Sequence, residues 1–240
     1  MTSSIPAAVL RDLAPNGIVR AGINIGNPAL AQRDVVGAEI RGVAVDLARE
    51  LGRKLDVDVE LVTYDAAGKL FDAVKANAWD VAFMAIDPER GIDVLFTPPY
   101  LTIEGTYLVR TDSPLWSVDD IDRAGMRVAI GAGSAYGLFL SRTLKHAELV
   151  RRPSAAEACE LLLEERLDAA AGVRQALMQF AQRHDGLRVI DDQFMVIEQA
   201  IATPKPRMTG SRFLSSFIEE LKNRGFVAAA LKRTREFAAV

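Results

Sequence analysis

One arginine stands where α/β proteins often bind a carboxylate. Arg90 ends the segment Asp87-Pro88-Glu89-Arg90, which directly follows the apolar run 81–86. The run predicts a buried strand, and open α/β sheets bind ligands beyond the carboxyl ends of their strands. A guanidinium placed there can hold a carboxylate through two parallel hydrogen bonds. The structural alternative is a surface arginine paired with Glu89 or Asp93.

A second candidate is the turn Gly131-Ala132-Gly133-Ser134, between a predicted strand and a predicted helix. The next glycine is Gly137, so the dinucleotide-binding fingerprint GxGxxG is not met, and no Walker A sequence occurs. Free backbone N–H groups at the start of the helix, together with the Ser134 hydroxyl, can hold an anion. The structural alternative is that these glycines only permit a tight turn.

No set of nucleophile, base or metal ligands stands out. The sequence has neither a GxSxG nor an HExxH motif, and neither His146 nor His184 lies near a candidate serine. A single cysteine, Cys159, excludes an intrachain disulfide and a Cys-rich zinc site. Three aspartates are interpreted as caps and turn residues: Asp46, Asp80 and Asp168. We therefore expect no catalytic residue, no metal and no other cofactor.

Composition narrows the class of protein. Of the 240 residues, 50% are hydrophobic and 25% charged, and the formal net charge is −3. Nucleic-acid-binding domains usually show a basic excess or stripe, so this class is not expected. The apolar runs are too short to cross a bilayer. The first ten residues lack a basic segment and a long apolar stretch, so no secretory leader is expected, and a cytoplasmic location stays open.

Strand and helix patterns alternate along the chain. Residues 18–23, 57–62 and 81–86 are predicted strands, separated by helices over 43–55 and 68–76. This β-α-β-α-β pattern is typical of a parallel or mixed sheet covered by helices. The alternation restarts near Glu104 and ends near Glu198, and two final helices follow. The simplest arrangement is an α/β protein with two lobes joined by two crossovers. One lobe comprises residues 1–103 and 199–240, and the other comprises residues 104–198.

The order of several motifs resembles the family 3 solute-binding proteins, the polar amino-acid-binding components of ABC importers. Four stretches carry the resemblance: Gly17-Ile18-Val19-Arg20-Ala21-Gly22, Gly42-Val43-Ala44-Val45-Asp46-Leu47-Ala48, the block from Trp79-Asp80 through Pro88-Glu89-Arg90 to Phe96-Thr97-Pro98-Pro99-Tyr100, and Arg166-Leu167-Asp168-Ala169-Ala170. Each stretch is modest alone, but their order and spacing together are specific. The resemblance extends from about Leu13 to Phe237.

The resemblance implies a two-lobe, periplasmic-binding-protein-like II fold that binds its ligand in an interlobe cleft and closes by hinge bending. It further implies a monomer outside the cytoplasmic membrane, with an ABC-transporter permease as a possible partner and no nucleic acid. Arg90 matches the family's arginine for the ligand α-carboxylate. The full set of candidate ligand-binding residues is Asn24, Asn27, Asp87, Arg90, Gly133, Ser134, Ala135, Tyr136, Glu198 and Gln199.

Several positions depart from the family pattern. Val173 stands at the position where the family usually has a carboxylate that binds the ligand α-ammonium, and valine accepts no hydrogen bond. The hydroxyls that usually precede the Pro-Glu-Arg motif are missing, although Asp87 could substitute for them. In the second-lobe turn, Ala135 stands where the family often has a side chain with a hydroxyl group. In the first loop, the expected aromatic clamp is replaced near Asn27. Glu198 could supply a replacement charge.

The departures favour an organic carboxylate, or an amino acid held in an altered way. Two alternatives from other classes stay open. One is an enzyme that resembles cyclohexadienyl dehydratases, which needs a carboxylate general acid; Val173 occupies the position expected to carry that acid. The other is a leaderless cytoplasmic ligand sensor that acts through a partner.

Overall fold

The predicted alternation of strands and helices is present in the computed structural model, which describes residues 5–33 and 39–238. The strands are β1 Ile18–Asn24, β2 Gln32–Arg33, β3 Ile40–Arg41, β4 Asp58–Tyr64, β5 Val81–Ala85, β6 Val94–Phe96, β7 Leu101–Arg110, β8 Arg127–Gly131, β9 Glu148–Arg152, β10 Ala169–Val173, β11 Leu187–Val189 and β12 Met195–Pro204. The helices are α1 Ala7–Leu13, α2 Val43–Leu55, α3 Ala67–Asp72, α4 Ala135–Thr143, α5 Ala155–Glu164, α6 Arg174–Ala181, α7 Met208–Asn223 and α8 Phe226–Ala238. Short 3₁₀ turns cover Ala73–Ala76, Arg90–Ile92 and Val118–Asp120.

Most predicted elements are found within a few residues of their expected bounds, and the exceptions have local causes. Residues 117–123, whose sequence is compatible with a short helix, form only the 3₁₀ turn Val118–Asp120, which begins with a capping box of Ser117 and Asp120. Gly125, at φ +87°, turns the chain away shortly afterwards. Strand β9 was not predicted, because its sequence is charged at both ends and its residues are exposed or only partly buried. Helix α1 and strand β6 were not predicted either.

Contacts between residues divide the chain into two compact units. Unit 1 comprises Met1–Tyr64, Lys69–Leu101 and Glu198–Val240, and unit 2 comprises Asp65–Gly68 and Thr102–Ile197. In unit 1 the strand order is β4-β1-β5-β12, and β6 also pairs with β12. Strand β1 runs parallel to β4 and β5, whereas β12 is antiparallel to β5 and β6. The carboxyl ends of β1, β4 and β5 therefore lie at one edge of this sheet.

The sheet of unit 1 is covered on both faces. One cluster joins Val81 and Phe83 of β5 to the apolar stripe of α2 and to the buried side of α7. A second cluster joins Ala82 and Met84 to Leu70 and Trp79. Successive residues of β5 thus enter opposite cores, as the alternation of a strand requires. All five residues of β5 are buried, so this strand gives the residues after it little positional freedom.

Unit 2 has a core of its own, packed on the strands of that unit. Strands β7, β10, β8 and β9 are neighbours in that order, and β11 pairs with β7. Strands β10, β8 and β9 are parallel, whereas β7 is antiparallel to β10. Apolar side chains of α5, including Leu161 and Leu162, pack on Leu108, Ala129 and Ala170 of this sheet.

No helix formed by residues 5–33 and 39–238 is both long enough and apolar enough to span a membrane.

Candidate functional site

Arg90 is buried at the carboxyl end of β5. Its residue exposure is 1%, and its Nη1 donates a hydrogen bond of 3.0 Å to the main-chain oxygen of Ala85. Its Cζ lies 5.9 Å from the ring centroid of Phe71. Burial lowers the pKa of Arg90 to about 10, although Asp87 and Asp72 oppose this shift. The guanidinium therefore stays protonated at neutral pH, in a place where water competes little for its hydrogen bonds.

Asp87 is held in the turn between β5 and Arg90. It is 4% exposed, its Oδ1 accepts a hydrogen bond of 2.9 Å from the Glu89 main-chain N–H, and its main-chain oxygen accepts one of 3.0 Å from Gly91. These bonds close the turn that begins the 3₁₀ segment. The same turn thus carries a buried anion and a buried cation.

Strand β12 brings Glu198 and Gln199 to the end of β5. Gln199 lies opposite Ala85 in the register, and the Glu198 main-chain oxygen accepts a hydrogen bond of 2.8 Å from Ile86. Glu198 is exposed, whereas Gln199 is 3% exposed. Among the residues that the structure describes, none donates a hydrogen bond to Gln199 Oε1.

Asn24 and Asn27 shape the loop after β1. Each is 8% exposed. Asn24 Oδ1 accepts a hydrogen bond of 3.0 Å from Gly26, and Asn27 Oδ1 accepts one of 3.2 Å from Ala29. Such bonds from a side chain to the main chain two residues on are the Asx turns that these residue types favour. The asparagine side-chain oxygens are therefore engaged in holding the loop.

The glycine turn of unit 2 is closed by Ser134, the N-cap of α4. Gly133 has φ +65°, a conformation that favours glycine. Ser134 Oγ accepts a hydrogen bond of 3.1 Å from Gly137 and donates one of 2.7 Å to the Gly131 main-chain oxygen. This hydroxyl therefore has a structural role in the turn. The other N–H groups of the first helical turn lie at the positive end of the helix dipole.

Ala135 and Tyr136 form the first turn of α4 and are 6% and 4% exposed. A Cβ built on Gly131 would lie 3.0 Å from the Tyr136 hydroxyl oxygen, so the ring lies against the strand–helix turn. Burial raises the pKa of Tyr136 to about 12, which keeps the phenol neutral at physiological pH.

Val173 ends β10 and is 8% exposed. The next residue, Arg174, is held entirely within unit 2. It pairs with Glu104 and donates hydrogen bonds to the main-chain oxygens of Ile190, Asp191 and Asp192 at 2.7–3.1 Å. An open cavity of about 420 Å³ lies beside this cluster, with Ser117 and Asp119 on its wall. The sequence pattern did not indicate this cavity, because its lining comes from four separate segments.

Two aromatic residues of unit 1 were missed as candidates. Phe71 lies against the Arg90 guanidinium. Tyr100 is 5% exposed and packs edge-on against Phe83, with ring centroids 6.2 Å apart. Its burial raises the pKa of its hydroxyl. Its main-chain N–H donates a hydrogen bond of 2.9 Å to the Gln199 main-chain oxygen. The Thr97-Pro98-Pro99-Tyr100 motif was the available signal, but it gave Tyr100 no role.

No group of three or more potential metal ligands is found across residues 5–33 and 39–238. Of the two histidines, His184 stacks on Phe180 and its Nδ1 lies 2.9 Å from the main-chain oxygen of that residue, while the main-chain N–H of His146 donates to Asp122.

Comparison with known proteins identifies one protein family that matches the chain. The model of the bacterial extracellular solute-binding proteins, family 3, matches residues 19–234. No curated protein matches the chain. The family resemblance expected from the four motif stretches is therefore confirmed.

Solved structures of similar fold include two amino-acid-binding proteins from bacteria. An amino-acid ABC-transporter substrate-binding protein from Streptococcus pneumoniae, bound to L-arginine, is 20% identical with a TM-score of 0.82, covering 94% of this chain and 98% of that one. A cysteine-binding protein from Campylobacter jejuni is 20% identical with a TM-score of 0.82, covering 95% and 93%.

A third similar structure is an ancestral amino-acid-binding protein described as a precursor of cyclohexadienyl dehydratase. It is 23% identical with a TM-score of 0.79, covering 93% of this chain and 98% of that one. At these identities the likeness shows the fold alone, and the predicted two-lobe periplasmic-binding-protein-like II fold is confirmed.

Proposed function

The chain belongs to the bacterial extracellular solute-binding proteins, family 3, and from this membership we propose that it binds a small carboxylate-bearing solute, an amino acid or a related organic acid. The proposed role is non-catalytic: the protein is the substrate-binding component of an ABC importer, acts outside the cytoplasmic membrane and delivers its ligand to a membrane permease.

The single observation that carries this proposal is the buried guanidinium of Arg90. Because the Arg90 guanidinium is 1% exposed, it is shielded from water, and an anion that binds it there interacts strongly. Its position beyond the end of β5 is where α/β proteins bind ligands. A ligand carboxylate is the anion that a guanidinium recognises best, because the two planar groups form paired hydrogen bonds. Phe71, against the guanidinium, leaves less room for water there.

The similar structures support the same ligand class. One is bound to L-arginine and another is a cysteine-binding protein. Both ligands carry a carboxylate next to an amino group, so a carboxylate is the feature that they share. For the glycine turn of unit 2 we propose, separately, that the main-chain N–H groups of Ala135 and Tyr136, at the start of α4, bind an anion.

The proposal is tested by thermal shift and isothermal titration against amino acids and small mono- and dicarboxylates. A ligand that binds only the folded protein raises the melting midpoint as its concentration increases. We expect at least one carboxylate to bind and Arg90→Met, of similar length, to weaken it by about 10²-fold or more, as for a lost buried charge pair.

Arg53→Met is the matched control, since Arg53 is exposed and pairs with Glu50 on the surface of α2. It should bind the same ligand with unchanged affinity. Circular dichroism confirms that both variants are folded. Binding that survives Arg90→Met unchanged contradicts the proposal.

The enzyme alternative rests on the similar ancestral structure that preceded a cyclohexadienyl dehydratase. In unit 1 the carboxylates available for a general acid are Asp87, in the turn before Arg90, and the exposed Glu198. Incubation with a cyclohexadienyl acid and ultraviolet detection of an aromatic product distinguish the two functions. Product formation that is lost in Asp87→Asn or Glu198→Gln favours the enzyme.

The sensor alternative is distinguished by location. A secretory leader in the genomic reading frame and recovery of the protein from the periplasm or medium support the transport role. Recovery only from the cytoplasm supports a ligand sensor.

A further inference from the structure

Trp116 is an exposed aromatic residue that other parts of unit 2 hold in place. Its exposure is 68%, whereas the other tryptophan, Trp79, is fully buried. The Arg188 guanidinium lies against the indole, with Cζ 3.8 Å from the ring centroid. Arg188 Nη2 is itself fixed by hydrogen bonds of 2.9 and 2.7 Å to the main-chain oxygens of Ser113 and Leu115. The indole is therefore positioned by its neighbours while much of its surface meets water.

An ordered, exposed tryptophan is typical of a protein interface. Single exposed apolar residues are ordinary on protein surfaces, but tryptophan is enriched among the residues that contribute most to binding. Binding usually costs conformational entropy, because side chains become ordered. The contact with Arg188 orders the Trp116 ring in advance, and the hydrogen bond of 2.9 Å from the Trp116 main-chain N–H to Asp120 Oδ2 orders its main chain. This cost is therefore reduced at Trp116.

The chain continues from Trp116 into the wall of the open cavity of about 420 Å³ in unit 2, which begins at the next residue, Ser117. The charged side chains of that wall are Glu104, Asp119, Arg174, Asp191 and Asp192. The Arg174 guanidinium is already engaged, because it pairs with Glu104 and donates to main-chain oxygens. The charge that the wall presents to an incoming group is therefore negative.

The remaining carboxylates of the wall are not neutralised within the protein. Asp119, Asp191 and Asp192 are exposed. Among residues 5–33 and 39–238, no basic side chain forms an ion pair with any of these three. Arg174 holds the main-chain oxygens of Asp191 and Asp192 at 2.7 and 3.1 Å, so the segment that carries two of the charges is fixed.

These features favour a polypeptide partner over a small molecule. Small-molecule sites are mostly apolar and bury most of their ligand, whereas this cavity is open and its wall is polar. Its volume lies within the range of such sites, so a long side chain has room to enter. A cationic side chain complements the carboxylates, and a neighbouring apolar residue can cover Trp116. A second copy of this chain is a poorer match, because the formal net charge is −3.

We propose that Trp116, Asp119, Asp191 and Asp192 form a docking surface for a protein segment that carries arginine or lysine beside an apolar residue. The cationic side chain enters the cavity, and the apolar residue packs on the Trp116 ring. The inference goes beyond the proposed function and does not depend on it, because none of these four residues is a candidate ligand-binding residue.

The probes are short fluorescein-labelled peptides that carry arginines and a leucine at different spacings. Each has a counterpart with citrulline, which keeps the shape of arginine without its charge. Fluorescence anisotropy measures their affinities. We expect at least one arginine peptide to bind the wild type about tenfold or more tightly than its counterpart. Trp116→Ala should weaken that peptide by about tenfold or more, and Asp191→Asn/Asp192→Asn by about three- to tenfold, as the loss of two exposed ion pairs allows.

Matched controls separate this surface from general attraction to an acidic protein. Ile92→Ala removes an apolar side chain of unit 1 with the same 68% exposure as Trp116. Glu148→Gln/Glu164→Gln removes two exposed carboxylates from other parts of unit 2. Both variants should bind the peptide like the wild type. Circular dichroism confirms that all the variants are folded.

A second readout uses the protein's own fluorescence. The sequence has two tryptophans, and Trp79 is fully buried, so a change on binding comes from Trp116. We expect the peptide that binds to shift the emission to shorter wavelength, because its apolar residue covers the ring. Trp116→Phe should abolish the shift.

Three outcomes overturn the inference. In the first, no arginine peptide binds more tightly than its citrulline counterpart. In the second, binding is unchanged by Trp116→Ala or is weakened equally by Glu148→Gln/Glu164→Gln. In the third, sedimentation shows that the wild type self-associates and that Trp116→Ala abolishes it, which would assign the surface to a second copy of the chain.

Discussion

Two buried charges of unit 1 have different partners. Asp80, with 0% exposure, accepts hydrogen bonds from the main chain and guanidinium of Arg20 and from Arg207 Nη1, all at 2.7–3.0 Å. Arg20 and Arg207 also bind Asn77. The Asp80 network ties β1, the start of β5 and the start of α7 together, so Asp80 is the centre of a buried ion-pair network, whereas the sequence predicted a cap or turn residue. Arg90, in contrast, is buried at the edge where we propose that a ligand binds.

The Asp80 network predicts a pH dependence of stability. Burial alone raises the pKa of the Asp80 carboxyl, but the hydrogen bonds from Arg20 and Arg207 outweigh it and hold the pKa below its usual value. A depressed folded-state pKa stabilises the protein above the unfolded-state pKa, about 3.9, and this contribution is lost as pH falls toward the folded-state value. Asp80→Asn should therefore cost about 3–5 kcal/mol at pH 7, the range for a broken buried ion pair.

Urea unfolding of the wild type and Asp80→Asn at pH 7, 5, 4 and 3 checks this prediction. The difference between the two should shrink below about pH 4, as the wild-type carboxyl becomes protonated. Asp58→Asn is the control, because Asp58 is exposed in β4 and should have a small effect at every pH. A difference that grows on acidification contradicts the assigned direction of the pKa shift.

At the scale of elements, two helices of unit 2 begin in the same way. Ser134 caps α4 and Ser154 caps α5, each by accepting a hydrogen bond from a main-chain N–H three residues on. The Ser154 hydroxyl also donates to the exposed end of Glu157, whereas the Ser134 hydroxyl donates to the buried main-chain oxygen of Gly131. The second hydrogen bond of Ser134 therefore secures the turn as well as the helix.

Removing either cap should destabilise the protein by unequal amounts. Ser154→Ala should cost about 1 kcal/mol, the typical value for an N-cap. Ser134→Ala should cost more, about 2 kcal/mol, because it also leaves the Gly131 oxygen without its donor. Urea unfolding monitored by circular dichroism measures both. Ser216→Ala, at an exposed position inside α7, should be neutral or slightly stabilising; equal costs for the two caps would contradict the additional role of Ser134.

At the scale of the whole molecule, each unit has a core of its own. Phe217 of α7 and Leu162 of α5 are 2% and 0% exposed and lie in the cores of unit 1 and unit 2 respectively. Unit 1 is assembled from segments near both ends of the chain, whereas unit 2 is almost continuous. Unit 1 therefore forms only when distant segments have met.

Core truncations should consequently affect one unit each. Phe217→Ala and Leu162→Ala should each cost about 3–4 kcal/mol. Hydrogen exchange with mass spectrometry should show faster exchange in β1, β4 and β5 for Phe217→Ala, and in β8 and β10 for Leu162→Ala. Equal acceleration in both units by either variant would contradict the separation into two cores.

Much of the fold could be predicted because its signals are local. The apolar stripe of α2 has the helical period, and the bounds found are those expected, Val43–Leu55. The five buried residues of β5 form the uninterrupted apolar run that predicts a covered strand. Strand β9 was missed because pairing with β8, rather than its own pattern, makes it a strand.

By itself, the sequence determined the family, the alternation of most strands and helices, and the position of Arg90 after β5, since each depends on residue types over short spans. Only the tertiary structure decided that Arg90 is buried, that the hydroxyl of Ser134 is engaged by its own turn, and that Gln199 lies beside Ala85. These facts depend on strand pairing and desolvation between residues far apart in the chain. No local pattern encodes which buried polar atoms remain without a partner, because that is known only when all neighbours are in place.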